Sequence, residues 1–142
     1  MKIEEQVLSR EQMAHLVELG VDTSDASMMW YRCDDGNTER WYLQINNELS
    51  NSLARIMKGT VGCLVPTYTI GDLIDKLPKW INSDGHDYSL MIEYFSSCLT
   101  YTYMDAHEMM DELTLVENYY ALKDALYNLL CWVAENHKEL IK

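Results

Sequence analysis

The stretch MMWYRCDDGNTERWYLQIN, residues 28–46, decides the fold class of this chain. Residues 28–33 and 41–46 are rich in aromatic and other β-favouring side chains. Between them lies DDGNTE, residues 34–39, a run of turn-forming residues. Two β-favouring segments on either side of such a run predict a β-hairpin.

The second segment of this hairpin also alternates in character. Trp41, Leu43 and Ile45 fall on one face of a strand, whereas Tyr42 and Gln44 fall on the other. Such alternation is typical of a strand with one face in the core. We therefore expect one side of the sheet to be buried.

A second hairpin is predicted further along the chain. Residues 88–95 and 98–103 favour strands and flank Ser96 and Ser97, and NSDG at residues 82–85 predicts a turn before them. The strands come in pairs and do not alternate singly with helices. This grouping favours an antiparallel sheet over a doubly wound parallel one.

Three shorter helices are predicted around the hairpins. Ser9 and Gln12 form a capping box for a helix over residues 10–19, and Gly20 is placed to end it. The apolar face of this helix comprises Met13, Leu16 and Val17. Helical spacing of Leu49, Leu53, Ile56 and Met57 predicts a helix over residues 47–58, and an N-cap at Thr69 with Asp72 predicts one over residues 70–77.

The longest helix is predicted at the C-terminal end. Thr114 and Glu117 form a capping-box pattern, and apolar residues recur at helical spacing from Leu115 to Val133. The sequence therefore predicts one globular α+β domain over residues 1–142. In it, a small antiparallel sheet from two hairpins packs against a long C-terminal helix and shorter helices.

The charge of the chain is strongly negative. Lys and Arg number 11 against 23 Asp and Glu, a formal charge of -12. This balance opposes direct binding to nucleic acid or to an anionic membrane. The segment between Lys79 and Lys123 has no Lys or Arg and contains eight acids: Asp84, Asp87, Glu93, Asp105, Glu108, Asp111, Glu112 and Glu117. The segment is either a solvated acidic face that serves solubility or a docking face for a basic protein.

Tyrosine is unusually frequent, with ten Tyr and four Trp against one Phe. Such side chains suit an interface that combines aromatic anchors with a charged rim, and they equally suit the edges of a small core. We expect Trp80 and Trp132 to anchor packing. The candidate partner-binding residues are Asp105, Glu108, Asp111, Glu112, Tyr101, Tyr103, Tyr119 and Tyr120.

No sequence pattern supports a catalytic, cofactor or metal site. The four cysteines are far apart, with no partner at zinc-ligand spacing, and no glycine-rich phosphate loop occurs. His107 and Asp111 would share a helix face, but the second histidine of a zinc motif is missing. A small hydrolase that uses His86 or His107 with nearby acids remains an alternative.

Two stretches carry a resemblance to other proteins. PTYTIGDLIDKLP at residues 66–78 and ALYNLLCW at residues 125–132 resemble a group of short proteins from gut Bacteroides-type bacteria and their prophages or mobile elements. The group has no activity that can be carried onto particular residues. The resemblance implies a cytoplasmic setting, linked to phages or other mobile elements.

The function expected from the sequence is that of a non-enzymatic acidic domain that binds a protein with a basic surface. A DNA-mimic inhibitor of a DNA-binding protein is the alternative within binding functions. A homodimer is a further option, because patches rich in Tyr and Met can pair across a two-fold axis. The start of the chain, MKIEE, lacks the pattern of a signal peptide, and no apolar run is long enough to span a bilayer. We therefore expect a cytoplasmic protein.

Overall fold

The structure of this chain is a computed structural model that describes residues 2–35, 38–57, 64–95, 98–105, 112–118 and 121–141. The chain divides into two compact units, Met1–Asp72 and Leu73–Lys142. Each unit combines helices with an antiparallel sheet, so the α+β class is confirmed. Both predicted hairpins are present, but they belong to two sheets and not to one. The single domain expected from the length stays a prediction.

The first unit contains a three-stranded sheet in the order β2-β1-β3, with both pairings antiparallel. Its elements in chain order are a 3-10 turn (Ile3–Gln6), α1 (Arg10–Glu18), β1 (Met28–Asp35), β2 (Thr38–Ile45), α2 (Glu48–Met57) and β3 (Leu64–Thr67). The hairpin predicted over residues 28–46 is therefore formed by β1 and β2.

Helix α1 begins and ends as its local sequence requires. The Ser9 Oγ accepts a hydrogen bond from the Gln12 N–H at 3.1 Å, and the Gln12 Oε1 accepts one from the Ser9 N–H at 2.9 Å. Gly20 follows the helix with φ of 86°, a left-handed conformation that favours glycine. Met13 and Leu16 are buried as predicted. Val17 is 56% exposed, so its assignment to the buried face is wrong.

Leu8 and Tyr68 join the start of α1 to the sheet of the first unit. The Leu8 N–H donates to the Tyr68 carbonyl oxygen at 3.0 Å. The Leu8 carbonyl oxygen accepts from the Trp30 Nε1 at 3.1 Å and from the Thr67 Oγ1 at 2.7 Å. These bonds satisfy polar groups that burial would otherwise leave unpaired at a cost. Leu8, Thr67 and Tyr68 are accordingly among the most buried residues of the chain.

The Tyr68 hydroxyl is the polar end of a buried side chain. It lies 2.8 Å from both the Asp22 carbonyl oxygen and the Asp25 Oδ1, so two acceptors share its proton. Burial raises the pKa of Tyr68 well above its usual value, and the hydrogen bond to Asp25 raises it further. The hydroxyl therefore fixes the loop after α1 against the segment that follows β3.

Helix α2 confirms the helix predicted over residues 47–58, but its apolar face is not covered at its start. Leu49 is 70% exposed and Leu53 is 44% exposed. Ile45, at the end of β2, is 61% exposed although it was expected to share a buried face with Trp41 and Leu43. Spacing identifies which residues share a face, and the packing of neighbouring elements decides whether that face is buried.

The boundary between the two units falls inside α3 (Ile70–Lys76), whose predicted cap is present. The Thr69 Oγ1 accepts from the Asp72 N–H at 3.1 Å, and the Asp72 Oδ2 accepts from the Thr69 N–H at 2.8 Å. The remaining elements are β4 (Trp80–Ser83), β5 (His86–Phe95), β6 (Cys98–Asp105), β7 (Glu112–Asn118), α4 (Leu122–Asn136) and a 3-10 turn (Lys138–Leu140). The strands form one antiparallel sheet in the order β4-β5-β6-β7.

The sheet of the second unit packs against α4, as predicted for the C-terminal helix. Helix α4 contacts β6 and β7. Its buried residues are Ala125, Leu126, Leu129, Leu130, Cys131, Val133 and Ala134. In β4, Ile81 is fully buried and Trp80 is 57% exposed, so adjacent residues face opposite sides. The expectation that Trp80 anchors packing is therefore wrong.

The predicted start of the terminal helix at Thr114 is also wrong. Residues 112–118 form β7, and α4 begins at Leu122. Thr114, Leu115 and Val116 each pair with a residue of β6. Alternating Leu, Thr and Val favour a strand, and the hydrogen bonds to β6 add to that preference. A Thr-x-x-Glu pattern alone cannot report this long-range pairing. Among the described residues, no helix has the length and apolar character needed to cross a membrane.

Tyr68→Phe tests the buried hydroxyl. Removing it breaks the hydrogen bonds to the Asp22 carbonyl oxygen and to the Asp25 carboxylate, so we expect the free energy of unfolding to fall by about 1–2 kcal/mol in urea titrations at neutral pH. Tyr31→Phe removes a hydroxyl from a half-buried tyrosine and serves as the matched control, with an expected change of less than about 0.5 kcal/mol.

The same pair of variants has a pH signature. The pKa of Tyr68 is raised in the folded chain, so its contribution to stability is complete below the unfolded value of about 10 and is lost as the pH rises above it. Tyr68→Phe should remove this part of the alkaline destabilisation, whereas Tyr31→Phe should keep it. Equal alkaline profiles for the two variants would contradict the assignment.

Candidate acidic docking site

The register of the second sheet brings separate acidic positions to one end. Antiparallel pairing means that β5 starts, β6 ends and β7 starts at the same end of the sheet. Asp105 pairs with Tyr88, and Glu112 pairs with Met104. The turn between β4 and β5 lies at this end too and carries Asp84 and Asp87. We call Asp84, Asp87, Asp105 and Glu112 the acidic end.

The turn that opens β5 is fixed by its backbone conformation. Ser83 pairs with His86, which leaves Asp84 and Gly85 as a two-residue connection. Both have positive φ, 52° for Asp84 and 81° for Gly85, as hairpin turns of the primed types require. Asp-Gly is a preferred sequence for that conformation. The sequence thus sets the position of these acidic residues locally.

Two carboxylates of this turn face solvent. Asp84 and Asp87 are exposed, and the Asp87 Oδ1 accepts a hydrogen bond from the Asn82 Nδ2 at 2.8 Å. This cross-strand bond orients the Asp87 carboxylate without burying it. Both carboxylates can therefore be reached by a cation from solvent.

The structure brings together two of the predicted partner-binding acids and leaves two untested. Asp105 and Glu112 lie at the ends of adjacent strands, which are roughly 5 Å apart in a sheet. Glu108 and Asp111 are in the connection between them, residues 106–111, which lies outside the described residues. Glu112 pairs with Met104, the residue before Asp105, so positions 105 and 112 lie at the same end of the sheet but on opposite faces.

The predicted tyrosines divide in the same way. Tyr119 and Tyr120 lie outside the described residues. Tyr101 pairs with Ile92 and Tyr103 with Leu90, which puts positions 101 and 103 on one face of the sheet. The same pairing rule adds Asp105, opposite Tyr88, and Ile81, also opposite Tyr88, to that face. Positions 101 and 103 therefore share a face with Asp105 and with the fully buried Ile81, whereas Asp87 and Glu112 lie on the opposite face.

The irregularity of β7 lies next to the acidic end. Tyr103 pairs with Thr114, whereas the adjacent Met104 pairs with Glu112, so Leu113 is the extra residue. An extra residue of this kind is a β-bulge, which bends the strand and increases its twist. Bulges commonly change the direction in which neighbouring residues project. Glu112 therefore sits at a bend of the edge strand and not in a flat ladder.

Histidine and cysteine chemistry gains little support from the described residues. His86 is exposed at the β4–β5 turn, and His107 lies outside the described residues. The described part of the chain contains no group of three or more His, Cys, Asp or Glu able to hold a metal ion. Burial raises the pKa of the Cys131 thiol, which disfavours the reactive thiolate. The hydrolase alternative stays a prediction.

Described residues of the first unit line two concavities. One has a volume of about 190 Å³, is mostly apolar, and includes Trp41 with the Arg10 guanidinium 3.9 Å from its ring centre. The other, of about 570 Å³, is open and is lined by Asn47, Glu48, Leu49 and Ser52. Neither has a described His or Cys in its lining. The first is smaller than the roughly 300–1,000 Å³ of typical ligand pockets.

Sequence reasoning missed Asp84 and Asp87 as members of the same site as Asp105. Their distance along the chain hides a proximity that only the pairing of β5 with β6 creates. The NSDG turn was the available signal, because a two-residue turn there requires a strand on each side. The chain matches no protein-family model, no curated protein and no solved structure.

Gly85→Ala tests how the turn positions the acidic end. A Cβ at Gly85 would meet nothing within 4 Å, so the substitution isolates the cost of the left-handed backbone. We expect a loss of about 1–2 kcal/mol in the free energy of unfolding, measured by urea titration. Gly85→Asn is the matched control and should lose less, since Asn tolerates this conformation. No loss in Gly85→Ala would contradict the turn assignment.

Proposed function

We propose that this protein is a non-enzymatic, cytoplasmic interaction domain whose acidic end binds the basic surface of a protein partner. The observation that supports this function best is the strand register, which collects acids from three separate stretches of sequence at one end of a sheet. Acids that serve only solubility can be spread over the whole surface and need not cluster at one end of a sheet. Glu108 and Asp111, in the sequence between β6 and β7, add further negative charge.

The chemistry of the site favours a basic protein over other cationic ligands. The described residues offer no metal-ligand group, and the exposed Asp84 and Asp87 project from a turn and not from a pocket. Carboxylates spread over a surface suit lysine and arginine side chains spread over a complementary surface. Such complementarity raises the association rate and selects among partners more than it raises affinity.

Tyrosines adjoining the acids would supply the less polar part of the interface. Tyr101 and Tyr103 precede Asp105 on β6, and Tyr119 and Tyr120 follow β7 in the sequence. Tyrosine combines apolar area with a hydroxyl that can form a hydrogen bond, which suits an interface at the edge of a charged patch. In this proposal the acids steer the partner and the tyrosines hold it.

The DNA-mimic alternative needs acids in rows that imitate duplex phosphates. In the observed register, Glu93 and Glu117 both pair with Thr100, in one row at a distance from the acidic end. The intervening positions on β5 are Tyr88, Ser89, Leu90, Met91 and Ile92. This distribution favours a compact basic partner surface over a duplex-shaped one, and the DNA mimic stays the alternative.

The biological setting that we propose is that of an accessory factor of a phage or mobile element. It rests on the resemblance of residues 66–78 and 125–132 to short proteins of such elements. An acidic domain that binds a basic protein would suit the modulation of a host or phage factor. The partner itself is left to experiment.

Reversing the charge of the four acids from Asp105 to Glu112, which we call the acidic segment, tests the proposed function. We expect one variant to lose capture of a partner from native host lysate. It carries lysine in place of all four of Asp105, Glu108, Asp111 and Glu112. The native chain should capture that partner at low salt and lose it progressively as salt rises, because exposed ion pairs are screened. The measurement is an affinity capture with quantified recovery of each captured protein.

A matched variant distinguishes an effect of the proposed site on capture from an effect of the net charge. Glu4, Glu11, Glu18 and Glu135 are exposed residues away from the acidic segment, and changing them to Lys alters the formal charge by the same amount. This control should retain capture. Circular dichroism verifies that both variants are folded. Capture that survives reversal of the acidic segment, or that both variants lose equally, would overturn the proposal.

A further inference from the structure

The two sheets of this protein have four edge strands, which differ in how they are protected. An edge strand presents unpaired N–H and C=O groups that can add a strand from another chain. Natural edges are made unattractive by short length, by proline or by bulges. β3 and β4 each have four residues, and β3 also contains Pro66. β7 carries the bulge at Leu113.

β2 has none of these three protections. It extends over eight residues, Thr38–Ile45, and each pairs with one residue of β1 without a register shift. It contains no proline. No strand among the described residues pairs with its outer side. Among the described edge strands, β2 therefore has the longest regular outer side.

The side chains of β2 suit an interface better than they suit solvent. Tyr42 is 39% exposed and its ring stacks on that of Tyr31, with 5.4 Å between ring centres. Ile45 is 61% exposed, and Leu49 follows it at 70%. Tyr42 and Ile45 lie on opposite faces of the strand, so each face of β2 carries an exposed apolar residue. Glu39 and Arg40 give the other end of β2 one charge of each sign.

We propose that β2 pairs antiparallel with β2 of a second copy of this chain, which joins two three-stranded sheets into one six-stranded sheet. An antiparallel edge is complementary to itself, because a two-fold axis normal to the sheet brings each outward donor to an acceptor of the other copy. The outward N–H and C=O groups of β2 then gain partners, apart from the Ile45 carbonyl oxygen, which already accepts a hydrogen bond from the Asn47 N–H at 3.1 Å. The proposal concerns the first unit and stands independently of the acidic end.

Symmetry limits the registers that this pairing can adopt. Residues directly opposite each other must lie on the same face, so one residue must face its own copy across the axis. An axis at Arg40 would oppose two like charges, and an axis at Leu43 would pair only residues 41–45, whereas axes at Trp41 and Tyr42 pair residues 38–44 and 39–45. An axis at Trp41 puts Arg40 opposite Tyr42 of the other copy, and an axis at Tyr42 pairs the two tyrosines. Both favourable registers bring Tyr42 to the centre of the interface.

Tyr42→Lys tests the proposal in either favourable register. With the axis at Trp41 the new lysine faces Arg40 of the other copy, and with the axis at Tyr42 it faces its own copy. Like charges directly opposite each other destabilise the pairing. In sedimentation equilibrium at rising protein concentration, the native chain should move from 16.6 kDa towards twice that mass. Tyr42→Lys should stay at 16.6 kDa at every concentration.

Trp80→Lys is the matched control. Trp80 is an exposed aromatic residue on the short edge strand β4, so its replacement adds the same charge to a different edge. This variant should dimerise like the native chain. Thermal unfolding followed by circular dichroism confirms that both variants are folded. A native chain that stays monomeric at all concentrations, or a Tyr42→Lys variant that dimerises normally, would overturn the proposal.

Hydrogen exchange of the native chain locates the interface without a variant. Amides of β2 that point towards β1 are protected at any concentration, whereas those on the outer side should gain protection only as the dimer forms. Dimerisation without this gain would place the interface elsewhere and refute the pairing. Outer amides that become protected only when lysate is added would assign the edge to a strand from a different protein, which also overturns the proposal.

Discussion

The antiparallel register of β5, β6 and β7 is the constraint on which the candidate site depends. Hydrogen bonds between backbone groups set which residues lie opposite each other, and a shift of one residue would move every side chain to the other face. Here the register places Asp105 opposite Tyr88 and Glu112 opposite Met104. It thereby gathers acids that are separated by long stretches of sequence. Helix α4, whose apolar face is buried, packs against β6 and β7 and supports this arrangement.

In the first unit, hydrogen bonds attach a helix to a small sheet. The Leu8 backbone uses both its N–H and its carbonyl oxygen to join the start of α1 to Trp30, Thr67 and Tyr68. Every one of these groups would cost free energy if it were buried without a partner. Attachment on this side leaves the opposite strand, β2, as a regular edge with exposed apolar residues. A well-satisfied core and an unprotected edge thus occur in the same small sheet.

The sequence allowed accurate prediction of features that depend on local interactions. The capping boxes at Ser9 and Thr69, the left-handed Gly20 and the β1–β2 hairpin depend on residues close in the chain, and all are present. Features that depend on distant partners were harder. β7 was predicted as the start of a helix because a Thr-x-x-Glu pattern was given more weight than its β-favouring residues, and its pairing with β6 is not visible in the local sequence. The exposure of Val17 and Leu49 depends on which elements cover them, which spacing does not specify.

The residues of the candidate site could also be predicted only in part from the sequence. Its charge could be identified from the absence of Lys and Arg between Lys79 and Lys123, and the strand register places the predicted Asp105 and Glu112 at the same end of the sheet. The addition of Asp84 and Asp87 required the pairing of β4, β5 and β6. A turn that holds two exposed acids, the end of β6 and the start of a bulged strand together form a surface that no single segment of sequence contains.

Nuclear magnetic resonance tests the central claim most directly, with a lysine-rich peptide titrated into the isotopically labelled native chain. The account predicts that amide shifts concentrate at Asp84, Asp87, Asp105 and Glu112 and that added salt suppresses them. Shifts spread evenly over exposed acids elsewhere, such as Glu4, Glu11 and Glu18, would contradict it. That result would show that the negative charge acts as a general solvated surface and not as a site.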